Sequence, residues 1–201
     1  MFEKLRPYAR RAAEYPARLL VRLGFTPNAL TVIGLLLNGV VALVLISGNP
    51  ILGGVLVLFA NAFDMLDGAV ARISGQGSRF GAFFDSTLDR YAEAVTYLGV
   101  MAWLFSLGDG STLLAAYLAI IGSLMVSYAR ARAEGLGVHG EVGWLPRPER
   151  IVLLAVGLIF HHYLLAPVLW LLAVLTNYTA LQRILYARRE LQPPEETGQT
   201  S

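Results

Sequence analysis

The chain contains no cysteine, which excludes disulfides, a thiolate nucleophile and any zinc–thiolate site. Charge is sparse: 15% of residues are Asp, Glu, Lys or Arg against 56% hydrophobic, and the mean hydropathy is +0.57. A soluble domain of 201 residues could not hide that much apolar sequence in one core. No nucleic-acid-binding module is recognisable. The net charge of +2 and the pI near 9.0 are accounted for by membrane topology and by attraction to anionic headgroups. No secretory signal peptide opens the chain, because its start is basic and interrupted by Pro7 and Pro16 rather than carrying a short apolar run. Internal repeats and a second domain are absent as well.

What is present is a series of apolar runs matched to a hydrocarbon layer of ~30 Å, at ~20 residues per helix. They predict an all-α, polytopic integral membrane protein with six transmembrane helices, at 29–47, 51–72, 80–107, 112–134, 150–163 and 164–184. Residues 1–24 read as an N-terminal interfacial amphipathic segment of one or two short helices broken at Pro7 and Pro16. There Lys4, Arg11, Arg18 and Arg22 recur at helical spacing. Residues 25–191 form the membrane domain, and the polar tail 192–201 is expected to be disordered. Lys and Arg are missing from the loops at 47–50, 106–111 and 161–167, whereas Arg72, Arg79, Arg130, Arg132, Arg147, Arg150, Arg183, Arg188 and Arg189 gather on the other side. The positive-inside rule then puts both termini and both basic loops in the cytoplasm, with the protein in the cytoplasmic membrane.

Inside this apolar sequence stand Asp64, Asp67, Asp85 and Asp89. An ionised side chain at the bilayer centre costs ~2.5–3.5 kcal/mol on insertion scales, so each acid needs a partner. Arg72 alone cannot satisfy four. Hard divalent cations such as Mg²⁺ or Mn²⁺ suit carboxylate oxygens. On helices, Asp64 and Asp67 share one face with Gly68, and Asp85 and Asp89 share another with Gly81. Two such faces can clamp one or two ions near the cytoplasmic surface, where a nucleotide can reach. His161 and His162, in a short outer loop, have no acid nearby, and His139 lies in a cytoplasmic loop, so all three read as non-catalytic. Trp103, Trp144 and Trp170 read as interfacial or packing residues.

The full pattern is Asp64-x-x-Asp67-Gly68-x-x-Ala71-Arg72, eight residues, then Gly81-x-x-x-Asp85-x-x-x-Asp89. It resembles the signature of the CDP-alcohol phosphotransferase family with no position lost, and family-like features run from Thr26 to about Arg189. The resemblance implies a six-helix membrane enzyme, usually a homodimer, in which an alcohol displaces CMP from a CDP-linked lipid. It implies Asp64, Asp67, Asp85 and Asp89 as ligands of two ions, Mg²⁺ or Mn²⁺, with Asp89 also the catalytic general base. It implies nucleotide contacts from Asp67, Gly68, Ala71, Arg72, Ser78 and Gly81. The family's Pro-Asn-x-Leu-Thr element appears as Pro27-Asn28-Ala29-Leu30-Thr31, where Asn28 and Thr31 read either as a cap and an interhelical bond or as further nucleotide contacts.

Gly77-Ser78-Arg79-Phe80 together with Ser127–Glu134 and Arg147-Pro148-Glu149-Arg150 resembles the family branch that makes phosphatidylinositol phosphate or archaetidylinositol phosphate. That implies inositol phosphate as acceptor. Arg130, Arg150 and Arg183, at cytoplasmic helix ends, can cradle the acceptor's phosphate or serve only as topology charges. Glycerol 3-phosphate remains an alternative acceptor, and a divalent-cation transporter the alternative of another class. A transporter would spread its acids along a pathway instead of clustering them.

Overall fold

The computed structural model describes residues 6–139 and 142–192, and among these every regular element is an α-helix. They are α1 (Arg6–Arg22), α2 (Pro27–Ile46), α3 (Pro50–Ser74), α4 (Arg79–Ser106), α5 (Gly110–Glu134), α6 (Arg147–Ile159) and α7 (His161–Leu191). Local chemistry fixes most starts. Thr26 accepts the Ala29 amide at 3.3 Å and Pro27 opens α2. Asn49 accepts the Leu52 amide at 3.1 Å and Pro50 opens α3. Ser78 caps α4 through the Gly81 amide at 2.9 Å. At the end of α3, Gly75 takes φ +67°, a left-handed C-terminal cap open to a residue without Cβ.

The main packing partners close a ring in the order α2–α3–α6–α7–α5–α4 and back to α2, with α1 laid outside against α3. Small residues set the close approaches, as expected where apolar surroundings give helices no hydrophobic reason to associate. A Cβ on Gly99 of α4 would stand 2.6 Å from the Ala42 Cα of α2. One on Gly122 of α5 would stand 2.1 Å from the Thr176 hydroxyl of α7. The interior is leucine- and alanine-rich, including Leu45, Val100, Ala119, Leu158 and Leu172. The outer surface exposes Leu36, Leu43, Phe59, Phe105 and Val174, an apolar exterior that suits lipid rather than water.

Four helices, α2, α3, α5 and α7, are long and apolar enough to cross a membrane. The other two of the expected six differ for visible reasons. α4 carries Asp85, Asp89, Arg90 and Glu93. α6 has 13 residues, a rise of only ~20 Å. The expected outer loop at His161–Pro167 does not exist. α6 ends at Ile159, Phe160 alone makes the turn, and both histidines begin α7, with Pro167 inside it. The hairpin closes this tightly because Gly157 lets α7 return, an added Cβ there lying 3.2 Å from Val168. Likewise α1 is one helix running through Pro16. Its buried Ala13 and Ala17 pack on Leu30, Ala69 and Val70 and hold it despite the missing amide. The expected disordered tail lies, apart from Gln192, outside the described residues.

Candidate active site

Asp64 and Asp67 stand in the second half of α3, and Asp85 and Asp89 two to three turns into α4, on either side of the short 75–78 connection. The face that carries Asp64 and Asp67 continues through Gly68 and Ala71, at helical spacing. One carboxylate oxygen from each of Asp64, Asp67 and Asp85 lies within 4.8 Å of the others. Like charges at that separation repel by on the order of 3 kcal/mol per pair at an effective dielectric of about 20. A site built from three converging hard oxygens therefore fits a divalent cation, and these three residues would hold it.

Asp89 meets the cluster through Arg147. One guanidinium nitrogen of Arg147 is 2.8 Å from the Asp64 carboxylate and 2.8 Å from that of Asp89. Arg90 adds a weaker contact to Asp89 at 3.4 Å and donates to the Ser86 carbonyl at 2.6 Å.

α2 supplies the third wall. The Thr31 hydroxyl donates to Asp67 at 3.1 Å and is also 3.1 Å from the Pro27 carbonyl. The Gly68 amide donates to the other Asp67 oxygen. Gly34 brings the α2 backbone to Asp64, since a Cβ there would lie 3.6 Å from its carboxylate. Asn28 reaches the start of α4, where a Cβ on Gly81 would be 3.3 Å from its side-chain oxygen and 3.1 Å from Ser78 Oγ. The exposed Arg72 side chain folds back over Gly68. Asn28 and Thr31 belong to α2, Gly68, Ala71 and Arg72 to α3, and Ser78 and Gly81 to the cap and first turn of α4.

The three arginines expected to cradle a phosphate do not share one cleft. Arg130, paired with Glu134 at 2.8 Å, lines a groove with Arg183 and Tyr186. Arg183 donates to the Val142 carbonyl at 2.8 Å and to that of Val126 at 2.7 Å. Arg150 is 4% exposed and lines a separate interior cavity with Arg147, Glu93, Asn38, Thr96 and Tyr97. No local signal in the sequence assigns Arg147 to the acids. Glu93 stands with it in the cavity beside Arg150. Its signal was present: a further acid one turn beyond Asp89 on an otherwise apolar stretch of α4.

Comparison with known proteins gives a consistent result. The family model for CDP-alcohol phosphatidyltransferase matches residues 25–179. The chain is 37% identical over 195 residues to the phosphatidylinositol phosphate synthase of Mycobacteroides abscessus, covering 91% of this chain and 89% of the relative. It is 36% identical over 193 residues to the archaetidylinositol phosphate synthase of Pyrococcus horikoshii, covering 96% and 99%. Crystal structures of the Mycobacterium tuberculosis phosphatidylinositol phosphate synthase superpose at 32% identity. The form with CDP-DAG bound has a TM-score of 0.84 and covers 95% of this chain and 99% of that one. The form in complex with manganese and citrate has a TM-score of 0.83, covering 94% and 93%.

Proposed function

Because this chain belongs to the CDP-alcohol phosphatidyltransferase family, we propose that it transfers the phosphatidyl or archaetidyl group of a CDP-linked lipid to a hydroxyl of inositol phosphate. CMP is the leaving group. The observation that carries the reading is the convergence of Asp64, Asp67 and Asp85 within 4.8 Å, joined with relatives named for this synthesis. Clustering at one depth disfavours a transport pathway.

A divalent cation, Mg²⁺ or Mn²⁺, would be held by Asp64, Asp67 and Asp85 and would supply positive charge against the pyrophosphate. The rest is the work of side chains. Thr31 and the Gly68 amide orient Asp67, while Asn28, Ala71, Arg72, Ser78 and Gly81 border the nucleotide. Asp89 takes the proton of the acceptor hydroxyl, whose oxygen forms the new bond to the β-phosphorus as the bond to CMP breaks. Arg147 orients Asp89. Arg130 and Arg183 face the acceptor's phosphate from their shared groove, and Arg150, which approaches α5 at Ser123 one turn from where Arg183 meets Val126, adds its charge from the neighbouring cavity. Asp64, Asp67 and Asp85, with Asp89 as a further ligand, would hold two such ions.

In the same reading α4 and α6 also cross the bilayer, giving six spans behind an interfacial α1, in a homodimer with termini and site facing the cytoplasm. A panel test decides the acceptor. Purified protein with CDP-lipid and Mn²⁺ is offered inositol phosphate, glycerol 3-phosphate and free inositol, and CMP release is followed. Release with inositol phosphate far above the others supports the reading; preference for glycerol 3-phosphate transfers the chemistry to that acceptor.

A further inference from the structure

The first turn of α6 has Pro148 and Glu149 to open it but lacks a side-chain cap. Its N-cap is Pro146, which makes no side-chain capping bond. The residue before that, Leu145, takes φ +58°, the only left-handed non-glycine backbone among the described residues. Yet this turn carries Arg147, which bridges Asp64 and Asp89, and Arg150, assigned above to the acceptor.

Two rungs run from α4 to this turn. Asp89 meets Arg147, and one turn further along α4, Glu93 meets Arg150, with Nε 3.9 Å from its carboxylate. The second rung is enclosed: Arg150 is 4% and Glu93 8% exposed. α5 completes it, for the Ser123 hydroxyl donates to the same Glu93 oxygen while Arg150 approaches the Ser123 carbonyl at 3.5 Å. Glu93 is the acid nearest the Arg150 charge, and a buried guanidinium without a counter-charge is not held in place. The Nε atoms of Arg147 and Arg150 have no hydrogen-bond partner in the structure, and both residues line the same cavity.

We propose that Glu93 is a positioning residue for the acceptor side of the reaction: with Ser123 it fixes the Arg150 guanidinium in the cavity beside Arg147. The proposal rests on the transferase reading above. Among the described residues Glu93 is bonded neither to the nucleotide wall nor to the acids that would hold metal; its partners are Arg150 and Ser123, so its effect falls on the acceptor through Arg150.

Full-length protein in lipid nanodiscs, with CDP-lipid and Mn²⁺, tests it through CMP release as each substrate is varied. Glu93→Gln is expected to raise the KM for inositol phosphate about tenfold or more, as when one partner of a buried charge pair is lost, and to leave that for CDP-lipid within about twofold. In an Arg150→Gln background the same change should add less than about twofold, because its route is already cut. A Glu93→Gln protein equal to the parent, one that raises both KM values alike, or one whose effect persists undiminished without Arg150 overturns the proposal. Should Glu93→Gln fail to fold, Ser123→Ala decides: a selective rise in acceptor KM supports the role, and parental behaviour defeats it. A parent that ignores inositol phosphate would bring down the acceptor assignment and this proposal together. A parent that uses it, beside a Glu93 variant without effect, brings down this one alone.

Discussion

Asp64 and Asp67 are one turn apart on α3, and Asp85 and Asp89 one turn apart on α4, so each acid pair is assembled by helical periodicity alone. The basic side of the same site is made differently. Arg147 reaches Asp64 across 83 residues of chain, and Arg150 finds its place beside residues of α4 and α5. The acid side needs two helices and a short connection. The basic side needs the ring to close through α5, α6 and α7. Each acid pair should therefore survive disturbances that disperse the arginines, and donor and acceptor functions should come apart under mutation.

The largest effect expected is on the acid side: chelation of divalent cations should abolish transfer, and Mg²⁺ or Mn²⁺ should restore it, measured as CMP release. Full activity in excess chelator would break the account of the aspartates. Asp89→Asn should lower turnover by roughly 10²–10⁴, the usual contribution of a positioned base, with CDP-lipid binding falling less. Asp67→Asn should lose binding and turnover together. Arg147→Ala tests where the two sides meet. It leaves Asp64 and Asp89 without their shared cation and should cost ~2–5 kcal/mol in kcat/KM, split between both substrates.

On the basic side, Arg150→Ala should raise the KM for inositol phosphate much more than that for CDP-lipid, while free inositol stays a poor acceptor indifferent to the change. Equal use of inositol and inositol phosphate by the parent would return Arg130, Arg150 and Arg183 to the status of topology charges. The smallest effect belongs to the scaffold. Gly122→Ala puts a methyl group against Thr176 and the backbone of Asn177. That should cost ~1–3 kcal/mol of stability by overpacking, read as a lowered Tm. If the comparison holds, acceptor KM drifts upward in this variant while CDP-lipid affinity does not.

Much of this was legible in advance because it depends on residues close in sequence. The aspartate spacing and the long apolar runs are local or compositional signals. The α6–α7 hairpin was misplaced because His161 and His162 look like loop residues, whereas Gly157 lets α7 turn back after Phe160 alone. α1 was broken at Pro16 on local grounds, although the burial of Ala13 and Ala17 against α3 keeps it whole. Arg130, Arg150 and Arg183 looked equivalent as cytoplasmic-end cations, since nothing local tells which of them will face an acid, a carbonyl or a groove.

By itself the sequence determined the helical class, the membrane setting, the four aspartates and the chemistry they favour, since hydropathy and helical periodicity act over a few turns. Only the tertiary structure decided that Arg147 bridges Asp64 and Asp89, that Arg150 is enclosed with Glu93 and Ser123, and that Arg130 and Arg183 share a different groove. The physical reason is that a charge's partner is set by which helix faces meet across the ring. Those meetings are governed by close approaches such as Gly99 on Ala42 and Gly122 on Thr176, which no stretch of sequence displays on its own.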